Sequence, residues 1–533
     1  MRRVIIMSVL LIAIAQVSGS AAARTVGDGP RGGGTDIAGH SSDFNGDGFA
    51  DLAIGVSNED VGTIVDAGAV SVLYGSAPGL GAAGNQFWNM NSRGILGRAG
   101  AGDEFGHAVA VADFNGDGYS DLAVGAPFHN VDTVDNAGSL NVIYGSAAGL
   151  TSAANQYWNQ DSANVLDQAE QGDLFGASLA AGDFNGDGFA DLAVGDRTED
   201  IGAAVDGGAV NVMYGSVTGL VTAGNQFWSQ DTPGILGEGA ESGDVFSRGL
   251  GAGDFNADGR DDLGVGAWTE DVGTIQDAGA ANVIYGSATG LTTAGNQYWT
   301  GDSPGIGGDG AEKGDWFGRP ITPGDFNGDG YSDLAIGAHK EDVGTIVDAG
   351  AMNVLYGSAA GLTTGGNQFL TEADLGAAGD GVETGDHFCR AASSGDINGD
   401  GYQDLAIAIS AEDVGSVNGA GAAGILYGSA AGLTDTGAQY FSQDSPNVKD
   451  IAEDSDFFGW YVKLGDFNGD GSADLVSSAA FEDMGTSADA GSVQLLYGSL
   501  SGIVTAGNQV WTQDHTGVKD LVEAGDLFGN IMD

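Results

Sequence analysis

A nine-residue string that returns at nearly constant intervals constrains this chain more than any other feature. Residues 43–51 read DFNGDGFAD, and close copies begin at Asp113, Asp183, Asp254, Asp325, Asp396 and Asp466. Successive copies start 70 or 71 residues apart, so seven units account for nearly all of the chain after residue 42. Such a period is typical of a repeat architecture and leaves no room for a separate catalytic domain.

Each unit contains four short segments with strand-like patterns, separated by turns rich in Gly, Asn and Asp. In the second unit these segments are residues 105–112, 122–124, 139–144 and 155–158. None of the units has a helical period long enough for a crossover helix. Four antiparallel strands in each of seven units predict an all-β fold, a seven-bladed β-propeller of four-stranded antiparallel blades. A linear β-solenoid is the alternative, although its repeats are usually shorter.

The two ends of the repeat region complement each other. Residues 525–529 copy residues 102–106, which precede the second loop, but no loop follows them, and the first loop lacks such a segment before it. We therefore expect the C-terminal strand to complete the first blade, because closure removes two exposed sheet edges. The alternative is a truncated eighth repeat, in which case deleting the residues after Asp520 leaves stability unchanged.

The N-terminus has the pattern of an export signal. Arg2 and Arg3 precede an apolar run over residues 4–15, and small residues follow as far as Ala23. This pattern predicts a signal peptide over 1–23, a lead-in over 24–42 and the propeller over 43–533. An uncleaved anchor is the alternative. No other apolar run in the sequence reaches membrane length, so we expect a secreted or surface-associated protein without a membrane span.

Charge and cysteine content limit the partners and the means of stabilisation. The chain has 16 Lys and Arg against 74 Asp and Glu, a net charge of −58. Bulk electrostatics therefore excludes nucleic acid as a partner, because phosphate binding needs clustered cations. Cys389 is the single cysteine, so an internal disulfide is impossible and metal is the expected stabiliser.

The recurring loop has oxygen donors at a spacing that suits calcium. Positions one, three, five and nine carry Asp or Asn, a glycine at position six permits a sharp turn, and the carbonyl of position seven can point inward. Calcium fits such flexible oxygen sets better than magnesium, and zinc prefers His or Cys. The alternative is an Asx-rich turn without metal. Seven copies of mutually repelling carboxylates favour about seven Ca²⁺ sites.

The predicted calcium ligands occupy positions one, three, five, seven and nine of each loop. The fourth loop departs from the pattern, because Ala257 stands where the other loops have glycine, and strain is expected there. The ligands are Asp43, Asn45, Asp47, Phe49, Asp51, Asp113, Asn115, Asp117, Tyr119, Asp121, Asp183, Asn185, Asp187, Phe189, Asp191, Asp254, Asn256, Asp258, Arg260, Asp262, Asp325, Asn327, Asp329, Tyr331, Asp333, Asp396, Asn398, Asp400, Tyr402, Asp404, Asp466, Asn468, Asp470, Ser472 and Asp474.

The sequence around the second loop resembles the FG-GAP repeat of integrin α-subunit propellers and of related bacterial exported proteins. Phe105-Gly106 precedes the loop and Gly125-Ala126-Pro127 follows it. The resemblance extends to all seven units, although only the second has the GAP triplet intact. It implies a seven-bladed propeller with calcium between the first two strands of a blade and with ligand or partner contacts at the opposite face. It implies no ligand specificity.

One register position of the predicted inner strands collects unusual residues. Inner strands of a propeller converge on its central channel, so the residues that follow the FG positions should form a ring. Arg248, Arg319, Arg390, Trp460 and His107 are the candidate ligand-binding residues of this ring, since arginine suits a carboxylate or sulfate. The alternative is that each arginine pairs with a nearby aspartate, such as Asp244, Asp315 or Asp386.

These patterns favour a binding protein over an enzyme. The six histidines occupy non-equivalent positions, and no Gly-x-Ser-x-Gly segment is present. Glu-Asp segments such as Glu59-Asp60 form either hydrated turns or an acidic rim for a cationic or calcium-bridged partner. We predict a calcium-binding propeller that serves as a binding or adhesion module for protein or glycan. A structural envelope or matrix component is the second interpretation, and a propeller enzyme acting on polysaccharide is the third.

Overall fold

Seven four-stranded antiparallel sheets make up the structure, a computed structural model that describes residues 42–376, 379 and 381–533. The predicted signal peptide and nearly all of the lead-in lie outside the described residues. The prediction of a seven-bladed, all-β propeller is confirmed. Apart from the strands, the described chain contains a 3-10 helix over Glu372–Leu375.

The strands are numbered in chain order, and each blade is given from its innermost strand outward. The first blade is β28 (Ile531–Met532), β1 (Leu52–Val56), β2 (Ala69–Tyr74) and β3 (Gly81–Trp88). The second is β4 (Ala108–Ala112), β5 (Asp121–Ala126), β6 (Ser139–Tyr144) and β7 (Thr151–Trp158). The third is β8 (Phe175–Gly182), β9 (Asp191–Asp196), β10 (Ala209–Tyr214) and β11 (Val221–Trp228).

The other four blades have the same order. The fourth is β12 (Gly249–Gly253), β13 (Asp262–Ala267), β14 (Ala280–Tyr285) and β15 (Thr292–Trp299). The fifth is β16 (Phe317–Gly324), β17 (Asp333–Ala338), β18 (Ala351–Tyr356) and β19 (Thr363–Leu370). The sixth is β20 (Phe388–Gly395), β21 (Asp404–Ile409), β22 (Ala422–Tyr427) and β23 (Thr434–Phe441), and the seventh is β24 (Phe458–Gly465), β25 (Asp474–Ala479), β26 (Ser492–Tyr497) and β27 (Val504–Trp511).

The middle strands of each blade are buried on both faces. In the second blade every residue of β5 and β6 is buried, whereas β7 is partly exposed along its length. A blade is covered by a neighbour on each side, so its middle strands read as continuous apolar runs rather than as an alternating pattern. The hydrophobic core therefore lies between blades and repeats around the ring.

The FG and GAP segments meet where neighbouring blades pack. Phe105 is fully buried, and Gly106 donates its N–H to the carbonyl of Gly125 at 3.0 Å. The carbonyl of Gly176, in the FG segment of the third blade, lies 2.0 Å from where a Cβ on Gly125 would stand. Glycine is needed at this contact because any side chain would collide with the backbone of the next blade.

The C-terminal segment closes the ring. Strand β28 pairs antiparallel with β1, with Ile531 opposite Gly55 and Met532 opposite Ile54. Ala53 and Asp533 exchange backbone hydrogen bonds at 2.8 and 3.0 Å. The last strand of the chain is thus the innermost strand of the first blade, and a truncated eighth repeat does not form.

Candidate functional site

Seven loops, each of which leads into the second strand of its blade, carry the predicted calcium ligands, and they define what we call the calcium-loop face. In the first loop, the Asp43 carboxylate accepts hydrogen bonds from the N–H groups of Gly46 at 2.6 Å and Gly48 at 2.8 Å. Asp47 accepts one from the N–H of Phe49 at 3.1 Å. The loop takes this form because Asp side chains satisfy the N–H groups of tight turns and glycine tolerates their positive φ, here 72° and 89°.

The ninth residue anchors each loop to the blade. Asp51 is fully buried, and its carboxylate accepts the N–H groups of Phe44 and Gly75, both at 2.9 Å. Burial, with a smaller contribution from Asp43 and Asp47, raises the pKa of Asp51 to about 8. The equivalent pKa values are raised to about 8 in Asp121, Asp191, Asp262 and Asp333, and to about 7 in Asp404 and Asp474.

The donor set of the loops fits a hard cation. The side-chain oxygen Oδ1 of Asn45 is buried without a hydrogen-bond partner. Asp43, Asp47 and Asp51 lie close enough to raise one another's electrostatic energy, and a bound cation would offset both burial and repulsion. The side chains that would hold calcium are those of Asp43, Asn45, Asp47 and Asp51. A bound calcium ion would cross-link the two ends of the loop, which is a structural role rather than a catalytic one.

In most loops the seventh residue has a packing role that the sequence did not predict. A Cβ on Gly46 would lie 2.7 Å from the ring of Tyr119, the seventh residue of the next loop. Phe189 covers Gly116 in the same way. In the fourth loop Ala257 takes a left-handed φ of 54°, which costs a residue with a Cβ about 1 kcal/mol. The turn nevertheless forms, because Asp254 still accepts the N–H of Gly259 at 2.8 Å.

The ring of residues after the FG positions lines a central cavity of about 390 Å³. The predicted ligand residues His107, Arg248, Arg319, Arg390 and Trp460 all lie on its wall. Within the ring, Trp460 donates its indole N–H to the side-chain oxygen of Asn530 at 2.8 Å. The seven inner strands thus bring together side chains that are distant in the sequence.

The three arginines of this ring have no carboxylate partner among the described residues. The alternative that they pair with Asp244 or Asp315 is wrong, because among the described residues neither aspartate lies within 4.0 Å of an arginine nitrogen. Arg390 instead donates to the backbone carbonyl of Trp460 at 2.6 Å. Burial, with repulsion from neighbouring guanidinium groups, lowers the pKa values of Arg319 and Arg390 to about 9.

Aromatic side chains surround the cavity on the face opposite the calcium loops, which we call the binding face. The rings of Trp268 and Trp316 are 4.5 Å apart, and His339 lies 5.2 Å from Trp316. The Nζ atom of Lys340 lies 3.7 Å from the centre of the Trp316 ring. The sequence analysis assigned these residues to no site, although Trp268 and His339 occupy the same position of successive repeats.

The FG-GAP repeat model matches residues 37–73, 105–142, 175–213, 317–351, 388–426 and 458–496. The chain is an FG-GAP repeat protein. The unmatched unit is the fourth, which contains Ala257 and replaces GAP by Gly266-Ala267-Trp268, yet it forms a blade like the others. The prediction of an integrin-α-like FG-GAP propeller is confirmed.

Curated relatives of this FG-GAP protein include integrin α-chains and a phospholipase. Integrin alpha-PS2 of Drosophila melanogaster is 30% identical over 239 residues, which are 43% of this chain and 15% of the relative. Integrin alpha-7 of Rattus norvegicus is 36% identical over 133 residues, 25% of this chain and 10% of the relative. The phosphatidylinositol-glycan-specific phospholipase D of Bos taurus is 35% identical over 158 residues, which are 29% of this chain and 18% of the relative. The chain therefore spans less than a fifth of these relatives.

The glutamates of the Glu-Asp segments are buried, so the hypothesis of an acidic rim is wrong for them. Glu59 and Glu270 are 2% and 0% exposed, and Gln513 donates to Glu59 at 2.8 Å. In the second blade His129 occupies this position and contacts Asp103 at 2.8 Å. In the sixth blade Glu412 lies with Asp386 and Glu372, and one oxygen of each falls within 4.8 Å of the others. These groups belong to the packing between blades.

Substituting Glu341 by Gln is expected to stabilise the fold at alkaline pH. Burial, then the charge of Asp315 and a hydrogen bond shared with Asp309, raises the pKa of Glu341 from 4.5 to about 9. The folded state therefore prefers the neutral carboxyl group, whose stabilising effect is complete below pH 4.5 and is lost as the pH rises through about 9. The melting temperature of E341Q should rise relative to that of the wild type as the pH increases from 5 to 9. Thermal unfolding of both proteins at each pH makes the measurement.

The exposed Glu383 provides a matched control for this titration. The substitution Glu383→Gln should change the melting temperature little, because exposed substitutions away from special features rarely exceed about 0.5 kcal/mol. A difference between E341Q and wild type that stays constant over this range would contradict the assignment to Glu341.

No helix in the described part of the chain has the length and apolarity needed to cross a membrane.

Proposed function

We propose that this FG-GAP propeller is an exported, calcium-stabilised binding module that engages a protein or glycan through its binding face. The calcium-loop face is nearly the same in all seven blades, whereas the binding face varies from blade to blade. Loops on a regular scaffold that depart from the repeat are the usual place of specific recognition. The observation that carries the proposal is therefore the concentration of Trp268, Trp316, His339 and Lys340 beside the cavity.

The residue types in this patch suit recognition. Indole rings supply large contact areas with little conformational entropy to lose, and both tryptophans are partly exposed. Ring stacking and the cation of Lys340 hold Trp316 in place, so the surface is formed before a partner arrives.

Replacing Trp316 by Ala is expected to reduce retention on the cognate surface at least tenfold, because a central aromatic contact commonly contributes more than 1.4 kcal/mol to binding. The measurement is retention of the purified protein on insoluble cell-wall glycans and on matrix-protein-coated surfaces, in millimolar calcium and again with chelator. Wild-type retention should be reversible and should fall on chelation.

Leu527 is the matched control for this substitution. It occupies the same position before the FG segment, and its φ of 56° is close to the 61° of Trp316. Leu527→Ala should leave retention unchanged if the aromatic patch is the contact surface. Equal losses in the two variants, or no retention on any of the surfaces by the wild type, would argue against a binding role for this face.

A further inference from the structure

We infer that the central cavity is a binding site for a small organic acid, one that carries a single carboxylate on a compact and largely apolar body. This inference goes beyond the proposed function, because it concerns a soluble ligand inside the channel rather than a partner on the binding face. Four arginines lie at this site: Arg248, Arg319 and Arg390 at equivalent positions of three consecutive blades, and Arg197 close enough to repel the first two.

The cluster of positive charges in the cavity favours the binding of an anion. Of the 16 Lys and Arg in a chain of net charge −58, these four are placed together, and the described residues give none of them an ion pair. The negative charge of Glu104 acts on Arg197. The Glu104 carboxylate itself contacts His107, with 2.9 Å between Oε2 and Nδ1. Clustered guanidinium groups that repel one another are stabilised by a ligand that brings the missing negative charge.

Aromatic rings hold the guanidinium groups of the arginines in positions from which they can donate hydrogen bonds to a ligand. The guanidinium groups of Arg248 and Arg319 lie 5.1 and 5.0 Å from the centre of the same Trp268 ring. The guanidinium of Arg390 lies 3.2 Å from the centre of the Trp460 ring. The Nε atom of Arg248 is buried without an acceptor. Stacking fixes the guanidinium planes and leaves N–H donors for a carboxylate, for which the planar fork of arginine is suited.

The rest of the cavity wall indicates the chemical nature of the group to which the carboxylate is attached. Beyond the arginines, most residues of the cavity wall are apolar, among them Val109, Leu179, Leu250 and Ile321, and the wall also carries the hydroxyl groups of Ser178 and Thr322. A volume of about 390 Å³ lies near the lower end of the usual range for small-molecule pockets, about 300 to 1,000 Å³. A compact apolar body with one charged end complements these walls.

The same geometry disfavours a charged polymer. The protein's net charge repels polyanions at long range, whereas a ligand with one charge loses little by approaching. The carboxylate would sit at the arginines, and the apolar body would lie against the strand residues that follow them, such as Leu250 and Ile321.

Isothermal titration with cyclohexanecarboxylate tests this inference, with cyclohexanemethanol as the neutral probe of similar shape. The wild type should bind the acid at least tenfold more tightly than the alcohol. Arg319→Gln and Arg390→Gln should each weaken acid binding at least tenfold, whereas Arg98→Gln, which changes an exposed arginine, should leave it unchanged. Equal binding of acid and alcohol, or undiminished binding by both glutamine variants, would overturn the inference.

A second variant separates loss of the site from loss of folding. Asn530→Asp is nearly isosteric, keeps an acceptor for the indole N–H of Trp460, and places a carboxylate in the ring. It should weaken acid binding while the melting temperature in calcium stays within a few degrees of the wild type. Tighter binding of a polyuronate than of the small acid would also overturn the inference. Acid binding by a protein that no insoluble surface retains would reject the proposed function and leave this inference intact.

Discussion

Chelation of calcium is expected to lower the melting temperature of this protein by about 10 °C. If free calcium is tenfold above the dissociation constant, each site contributes about 1.4 kcal/mol and seven sites about 10 kcal/mol. Unfolding entropy of about 2 cal/mol/K per residue converts this sum to about 10 °C for a propeller of this length. The physical reason is the set of buried position-nine carboxylates, exemplified by Asp51, whose ionisation opposes folding without a cation. Differential scanning calorimetry with and without chelator makes the measurement.

Two controls make the calcium prediction specific. Restoring calcium after chelation should recover the shift, whereas an equal concentration of magnesium should recover little of it, because the loops do not impose octahedral geometry. Asp117→Asn, which removes one charge from one loop, should cost only a fraction of the full effect. Melting that is indifferent to chelation in millimolar calcium would leave the loops as metal-free turns.

Deleting residues 521–533 is expected to destabilise the fold by several kcal/mol and to promote self-association. The deletion removes β28 together with Phe528 and Met532, which are 0% and 1% exposed. Loss of two buried side chains of this size costs about 5 to 10 kcal/mol in other proteins. It also exposes the edge of β1, whose backbone groups now pair with Ile531 and Met532. Thermal unfolding and light scattering measure the two effects.

Leu521→Ala is the control for this deletion, because Leu521 lies in the deleted segment but is 73% exposed. The variant should melt within about a degree of the wild type, since exposed substitutions away from special features rarely exceed about 0.5 kcal/mol. A truncated chain that melts like the full one would show that the first blade does not need its innermost strand.

The fold could be predicted because its determinants are local and repeated. Each unit carries its own glycines, Asp-rich loop and apolar strands, and seven similar units leave few other ways to bury their faces. The packing of Tyr119 on the loop glycine Gly46 could not be predicted in this way, because the two residues belong to different units. A single sequence shows what each repeat contains, but it does not show which side chains of neighbouring repeats touch.

The candidate site was predictable only in part, for the same reason. Register alone placed Arg248, Arg319 and Arg390 in one ring, since equivalent positions of inner strands face one channel. The contact between Trp268 and Trp316 joins different repeat positions of two blades, so no periodicity indicates it. The burial of Glu59 was also missed, because a Glu-Asp pair in a loop has the composition of a hydrated turn.

The pairing of β28 with β1 has a consequence for biogenesis. A blade that contains both β1 and β28 cannot be assembled until the ribosome has made Ile531 and Met532. Other blades can begin to form during synthesis, but the circle stays open until β28 emerges. The propeller therefore remains incomplete, and accessible to chaperones and proteases, from the synthesis of β1 until the synthesis of β28.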